Sequence, residues 1–241
     1  MSPLSREEFI ELGASIPAHI LVEWASGQIA ATKGKESRLQ TRGVNAATLA
    51  AIQDLTAIVE KRRKELGESQ ELPPQAVALA QRIREEAVDY WREAKLMAKI
   101  EFGTQPDLLA KFRTGVQTGL LIGTLAKEIE SILAPLREHA AQLAALGGTD
   151  AFIARGELLV GRLKEVKTSM DTACRALPPP AVQQCYDKGL LYDQIRKLVR
   201  VARLEFILDP EQASQFNFTG IRRNRGVSTR PELKKAKVAG R

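Results

Sequence analysis

The sequence predicts an all-α protein, and three observations support this prediction. Apolar residues recur at intervals of three and four, which places them on one face of a helix. No stretch shows the alternating pattern of a half-buried strand. Ala, Leu, Glu, Lys and Arg dominate the chain, and aromatic residues make up only 5% of it, a composition that favours helix. Helices of this kind cover one another's apolar faces, so a helical bundle is the expected architecture.

An internal repeat indicates that the bundle consists of two related three-helix units. The matching segments are LPPQAV and LPPPAV at 72–77 and 177–182, AKIEF and ARLEF at 98–102 and 202–206, and FRTG and FNFTG at 112–115 and 216–220. The shift is too long for a solenoid repeat, so each copy is the size of a domain. We therefore predict a six-helix bundle with a first unit at 1–116, a second unit at 117–221 and a basic tail at 222–241. The alternative to duplication is that similar helix-start motifs arose independently, because Pro-Pro is a common helix start.

Three helices are predicted in the first unit, over about 5–31, 45–66 and 73–102. Pro17 interrupts the first helix, because proline removes a backbone donor and disfavours the helical conformation at the residue before it. The polar, glycine-spaced segment 32–44 is predicted to be a loop, and Asn45 can cap the second helix. Pro73 and Pro74 open the third helix. Its apolar stripe consists of Ile83, Ala87, Tyr90, Ala94 and Met97.

Three further helices are predicted in the second unit, over about 114–146, 150–177 and 179–208. Thr114 and Gln117 have the spacing of a capping box at the start of the fourth helix, and Pro135 is expected to kink its middle. Gly147 and Gly148 end that helix, and Asp150 is expected to cap the fifth. The short linkers at LPP and Gly-Gly predict antiparallel neighbours within each unit. Whether the units form two bundles or one merged bundle is left open by the sequence.

The sixth helix combines an apolar side with a basic side. Its apolar stripe consists of Leu191, Ile195, Leu198 and Ala202, and the bases opposite are Arg196, Lys197, Arg200 and Arg203. These bases are a candidate surface for contact with anions or nucleic acid. An ordinary solvated helix face is the alternative interpretation.

The formal charge of +7 is concentrated in the last twenty residues. Eight bases and one acid, Glu232, lie there, whereas residues 1–221 hold equal numbers of acids and bases. The high charge and the near absence of apolar residues predict a disordered tail. Such a tail can neutralise phosphates, but it has no aromatic side chain to stack on a base; a solubilising terminus is the alternative. The bases are Arg222, Arg223, Arg225, Arg230, Lys234, Lys235, Lys237 and Arg241.

Compartment and membrane contact are predicted from what the chain lacks. No run of about 18 apolar residues is present, so no membrane partner is expected. MSPLSREEF carries acids where a signal peptide carries bases, which indicates a cytoplasmic protein. Cys174 and Cys185 flank the LPPP turn, and their counterparts in the first unit are Ser69 and Ala80. Two buried free thiols are therefore expected rather than a disulfide.

Catalytic motifs are missing from the sequence, and we predict no enzymatic activity, no catalytic residue, no cofactor and no metal. Glycine-rich phosphate loops and a serine nucleophile elbow are absent. A dinuclear metal site in a bundle needs Glu-x-x-His pairs on facing helices. The chain has only two histidines, His19 and His139, and neither follows a glutamate by three residues.

Three polar residues nevertheless extend apolar stripes and form a candidate polar seam. Glu101 and Glu205 occupy the same position at the ends of the third and sixth helices, and His139 lies on the stripe of the fourth. Solvated acids at helix ends are one interpretation. A half-buried glutamate pair that fixes the helix register, or that binds a proton or an ion, is the other. His139 is interpreted as a satisfied interior histidine rather than a ligand.

Together these features predict a non-enzymatic interaction or scaffold protein that acts through its bundle surface and its cationic tail. The expected partner is another protein or a second copy of the chain. A nucleic-acid-binding protein that uses the tail and the basic face of the sixth helix is the alternative. An ion-binding or catalytic bundle built on Glu101 and Glu205 is a further alternative.

Overall fold

The computed structural model describes residues 4–67, 72–114 and 121–217, and within these ranges all regular secondary structure is helical. The basic tail therefore lies outside the described residues. One short 3₁₀ helix, Ala144–Leu146, follows α8. The α-helices are α1 Arg6–Ala14, α2 Ala18–Thr32, α3 Glu36–Gln40, α4 Ala46–Leu66, α5 Pro74–Glu101, α6 Pro106–Lys111, α7 Ile122–Glu138, α8 Ala140–Leu143, α9 Asp150–Arg175, α10 Pro179–Glu205 and α11 Pro210–Gln215.

These ranges contain eleven α-helices rather than the six predicted, because short helices lie between the long ones. Pro17 separates α1 from α2, as predicted. The segment 32–44 contains α3 and is not a simple loop. Pro106 and Pro210 begin α6 and α11, where the fixed φ of proline starts a helical turn that the surrounding pattern is too short to reveal.

The fourth predicted helix is divided. Its predicted capping box lies partly in residues 115–120, outside the described residues, and α7 begins at Ile122. Pro135 does not kink a helix that continues to Leu146. Instead α7 ends at Glu138, and α8 begins at Ala140. Because Pro135 offers no N–H to the turn before it, the helix is already weakened one turn before its end.

The turn before α4 and the turn before α9 have the same backbone design. Gly43 and Gly147 adopt positive φ values of 86° and 96°, a conformation that glycine reaches without a steric cost. Two residues later, the side chains of Asn45 and Thr149 each accept a hydrogen bond from a backbone N–H of the first helical turn. Asp150 was predicted as the second cap, but it is the first helical residue, and Thr149 is the cap.

Helix pairing differs from the expectation that helices joined at LPP are neighbours. α4 packs mainly on α2 and α10, and α5 packs mainly on α9 and α7. α7 and α9, which are joined through the Gly-Gly turn, are neighbours as predicted. We call α5 with α6 the α5 arm, and α10 with α11 the α10 arm. Each arm therefore packs on helices from the opposite half of the chain.

Two apolar cores result from this exchange. The first lies mainly among α5 to α9 and contains Tyr90 stacked on Phe152, with ring centroids 4.5 Å apart. The second lies mainly among α2, α3, α4, α10 and α11 and contains Trp24 against Tyr192 at 5.7 Å. The predicted stripe of the third helix faces the first core, and that of the sixth faces the second.

α1 crosses α10 at very close range and links the two cores. A Cβ atom at Gly13 would lie 1.8 Å from the carbonyl oxygen of Cys185, and one at Gly189 would lie 2.0 Å from that of Phe9. Only glycine permits this approach of two backbones. Arg6 adds a 2.8 Å hydrogen bond to Gln183 and lies over the ring of Tyr186.

Candidate functional site

The glutamates of the candidate polar seam differ in their contacts. Glu205 accepts hydrogen bonds from Arg38 and Arg42 of the α3 region at 3.1 and 2.8 Å, and 13% of its side chain is exposed. The Arg42 and Arg38 guanidinium groups hold the pKa of Glu205 below its ordinary value. Glu101, by contrast, is exposed at the end of α5. The two carboxylates therefore have different surroundings: Glu205 pairs with two arginines, and Glu101 is exposed.

Each of these helix ends carries a pair of stacked phenylalanines, and we call each pair with its turn an elbow. Phe102 and Phe112 lie 5.8 Å apart in the α5 arm, and Phe206 and Phe216 lie 5.9 Å apart in the α10 arm. All four rings are buried. Buried aromatic pairs fix the sharp turn between the long helix and the short one, because separating them would expose a large apolar area.

A cationic or imidazole side chain lies against each elbow. Lys35 lies 5.8 Å from the ring centroid of Phe216, and Arg38 lies 4.4 Å from that of Phe206. At the other elbow, the ring of His139 lies 5.2 Å from that of Phe102. Its Nδ1 is 2.8 Å from Oε1 of Gln142, and its side chain is mostly buried. His139 is thus part of the interior packing of this elbow.

The predicted bases of α10 differ in their surroundings. Arg196 is partly buried, and burial lowers its pKa, helped by the neighbouring charges of Arg200 and of Arg84 from α5. Lys197 pairs with Asp193 at 2.8 Å. Arg200 and Arg203 are exposed. The contribution of Arg84 could not be predicted, since it depends on α5 and α10 approaching each other. The predicted contacts at Arg222, Arg223, Arg225, Arg230, Lys234, Lys235, Lys237 and Arg241 lie outside the described residues.

Exposed aliphatic side chains continue the basic side of α10, a feature that the sequence analysis missed. Leu204 is 54% exposed, Ile207 is 67% exposed and Leu208 is 94% exposed. The signal was present in the sequence, since Leu204 follows Arg200 by four residues and Arg203 by one, which places it on the basic side. We call this surface the α10 stripe; it consists of Arg196, Arg200, Arg203, Leu204, Ile207 and Leu208.

Two cavities in the described part of the chain are small or open. A cavity of about 20 Å³ lies between α1, α5 and α10, next to Glu11, Arg84 and Tyr192, and this volume suits about one water molecule. A cleft between α7 and α9 has an apolar floor at Leu133 and Val160 and is open to solvent. Among the described residues, no group of three or more His, Cys, Asp or Glu side chains is placed to hold a metal ion.

The two cysteines are free and buried, as predicted. Burial raises the pKa of Cys174 to about 11, and the nearby Cys185 adds to this effect. A thiol with such a pKa is almost entirely protonated near neutral pH, so it is a poor nucleophile. Cys174 is therefore a packing residue.

Comparison with known proteins found no family, no curated protein and no solved structure that matches this chain. In the described ranges, each helix is too short or too polar to cross a membrane. The interpretation of the α10 stripe therefore depends on its own geometry and charge.

Proposed function

We propose that this protein is a non-enzymatic helical interaction protein whose contact surface is the α10 stripe, extended by the basic tail. The observation that carries this proposal is the exposure of three aliphatic side chains, Leu204, Ile207 and Leu208, close in the chain to the exposed Arg200 and Arg203. The tail begins only a few residues after α11. Folded surface and tail can therefore contact one partner together.

The fold does not need these aliphatic residues to be exposed. The opposite side of α10 already completes the second core through Leu198 and Ala202, which are buried. Covering one Leu or Ile side chain contributes about 1.5–3 kcal/mol, so a partner that covers the stripe gains substantial binding energy. Clustered exposed apolar residues with polar neighbours are typical of interaction surfaces.

The chemistry of the stripe favours an acidic amphipathic protein segment as partner. Arginines flank the aliphatic residues. A partner with acidic and apolar side chains next to each other could pair with the arginines and cover the aliphatic residues. The helical part of the stripe, from Arg196 to Leu204, is about 12 Å long. Ile207 and Leu208 in the following turn extend it, so a partner helix of about three turns can cover it. Helix-on-helix recognition of this kind is a recurring binding mode.

A designed helical peptide of alternating Leu and Glu faces, about three turns long, tests the proposal. The full chain is expected to bind it, and the variant Leu204→Glu/Ile207→Glu is expected to lose at least tenfold in affinity in a calorimetric titration. Leu158→Glu is the matched control, because Leu158 is 63% exposed on α9. Equal binding by the two variants, or no binding by the unchanged chain, overturns the proposal.

A nucleic-acid-binding function is the second candidate, and the clustering of Arg84, Arg196 and Arg200 favours it. Their mutual repulsion contributes to the lowered pKa of Arg196, and a phosphate group would relieve that repulsion. A gel shift with mixed-sequence DNA and RNA, at low and moderate salt, with and without residues 222–241, provides the test. A shift that weakens with salt and with Arg200→Glu/Arg203→Glu supports this candidate, and no shift in any lane removes it.

We also infer that the chain contains a duplicated unit, at 1–116 and 117–221, with the arms exchanged between the copies. The equivalent elbows, the positive-φ glycines and the side-chain caps before α4 and α9 support this inference. So does the start of α5 and of α10 at the second proline of LPP. Under duplication alone the arms would pack within their own copy, so the exchange is a separate step.

The proposed compartment is the cytoplasm, and two buried cysteines that form no disulfide fit a reducing environment. Self-association is the rival to a different protein partner. The α10 stripe of a second copy contains no acidic residue to pair with these arginines. Light scattering of the unchanged chain at several concentrations separates these cases. A stable dimer that Leu204→Glu/Ile207→Glu dissociates would favour a second copy as the partner.

A further inference from the structure

The α5 arm carries a second exposed surface in which cations alternate with aliphatic residues. Leu96 is 59% exposed and Ile100 is 61% exposed. Arg92 and Lys99 are also exposed. Residues 92, 96, 99 and 100 lie on one side of the helix, because successive positions are four or three residues apart, except that Lys99 and Ile100 are adjacent. We call this surface the α5 stripe; it consists of Arg92, Leu96, Lys99 and Ile100.

The two stripes occupy equivalent positions relative to their elbows. Ile100 and Leu204 each lie two residues before the first elbow phenylalanine, Phe102 or Phe206. One residue earlier, each helix carries a cation, Lys99 or Arg203. Ten residues before the elbow, each carries an arginine, Arg92 or Arg196. Six residues before the elbow the helices differ, with Leu96 in one and Arg200 in the other.

Packing does not explain this repetition. On the inner side of each helix the arms are sealed by buried residues, Ala94 and Ala98 in α5, and Leu198 and Ala202 in α10. A single exposed Leu or Ile is ordinary on a protein surface. An exposed aliphatic residue preceded by a cation recurs at the same position of both arms, and neither core needs that side chain, so the position is available for a contact outside the fold.

We propose that the α5 stripe is a second docking surface for the same class of partner as the α10 stripe, so that one chain holds two acidic amphipathic segments. This inference rests on the proposed function. Each arm packs on helices from the opposite half of the chain, and the two stripes belong to different arms. Two equivalent sites on one chain bring two partner segments together, as a scaffold protein does.

The α5 site is the weaker of the two. Asp89 pairs with Arg92 at 3.3 Å, and the exposed Glu101 follows Ile100 directly, so the local charge is less positive than at the α10 stripe. The α5 stripe also has no counterpart of Ile207 and Leu208, since Gly103 and Thr104 stand there. An acidic segment is therefore expected to bind α5 at least tenfold more weakly than α10.

An anionic membrane is a less suitable occupant. A membrane-binding surface inserts a broad apolar face, commonly with Trp or Phe, below the headgroups. Each stripe offers only two or three aliphatic side chains and no aromatic one. The bases next to them would attract anionic lipid, but the apolar area available for insertion is small.

Stoichiometry tests the inference with the full chain and the Leu/Glu helical peptide as probe. Calorimetry and native mass measurement are expected to show two peptides per chain. Leu204→Glu/Ile207→Glu leaves the weaker site, Leu96→Glu/Ile100→Glu leaves the tighter site, and the four-fold variant binds none. Circular dichroism and urea unfolding check that each variant keeps its helices and its cooperative transition.

The outcomes separate this inference from the proposed function. One peptide per chain, with binding unaffected by Leu96→Glu/Ile100→Glu, overturns the second site and leaves the α10 stripe in place. No binding by the unchanged chain overturns both. Vesicles that contain phosphatidylserine are tested in parallel. If the chain binds these vesicles but not the peptide, and if both double variants abolish vesicle binding, the stripes are assigned to a lipid surface instead.

Discussion

The α5 arm and the α10 arm have nearly the same apolar framework but different ionic contacts. Both arms begin at a proline, bury one stripe in the opposite core and end in an elbow of two stacked phenylalanines. In the α10 arm, Glu205 binds Arg38 and Arg42, whereas in the α5 arm Glu101 is exposed. The apolar pattern therefore determines the shape of an arm, and the ionic contacts depend on what lies opposite it.

The second difference between the arms is α1, which crosses α10 and reaches α9 as well. The crossing requires glycine, since a Cβ at position 189 would collide with the backbone of Phe9. The α10 arm is thus held by an additional helix. A single added methyl group at position 189 is expected to disrupt this contact between α1 and α10.

Gly189→Ala tests the crossing of α1 over α10. The new methyl group cannot fit beside the Phe9 carbonyl, and the strain is expected to destabilise the protein by about 2–3 kcal/mol or to displace α1. Urea unfolding at neutral pH measures the loss. Gly161→Ala on α9 is the control, because a Cβ there meets open space and alanine favours helix by about 1 kcal/mol. Equal stabilities for the two variants would show that α1 does not pack at this crossing.

Phe112→Ala and Phe216→Ala test whether the elbows are equivalent. Both rings are fully buried and stacked on their partners, so each variant is expected to lose about 3–5 kcal/mol. The inferred duplication predicts similar losses in denaturant unfolding. A large loss in only one variant would mean that the elbows share geometry but not their contribution to stability.

Glu205→Gln against Glu101→Gln tests the ionic difference. The lowered pKa of Glu205 in the folded state means that its contribution to stability is complete above the ordinary value of 4.5 and is lost as the pH falls through the folded-state value below it. Glu205→Gln is expected to lower the urea midpoint at pH 7 and to flatten its decline below pH 4.5. Glu101→Gln is expected to change neither, and a matching change in both variants would contradict the comparison.

Features that depend on residues close together in the chain could be predicted from the sequence, and features that depend on distant residues could not. Helix type, apolar stripes, the break at Pro17 and the starts at LPP depend on neighbouring residues, and these predictions were correct. The exchange of arms depends on which helix packs against the apolar stripe of each arm. The sequence does not reveal this, because all the stripes have the same kind of apolar pattern. Glu205 meets Arg42, which lies 163 residues earlier in the chain, and no local pattern connects the two.

The α5 and α10 stripes also show that the sequence predicts a residue's position on a helix but not its exposure. Projection of the helices could have placed Leu204 and Ile100 opposite the apolar stripes, because this is a local property of helical spacing. Their exposure could not be deduced, since another helix of the bundle could have covered them. Only the packing of both arms shows that these residues remain at the surface.

Lys35→Met is expected to have the smallest effect and sharpens the comparison of the elbows. Lys35 lies over the ring of Phe216 and donates hydrogen bonds to Gln215 Oε1 at 2.9 Å and to the Ala31 carbonyl at 2.8 Å. Methionine keeps most of the apolar stem but removes the charge, so the expected loss is about 0.5–1 kcal/mol, the range for an exposed cation–π contact. Lys33→Met, on the exposed end of the same turn, controls for the change in net charge. If Lys33→Met costs as much as Lys35→Met, the cation against the elbow contributes nothing specific, and the resemblance between the Lys35 and His139 environments is one of position alone.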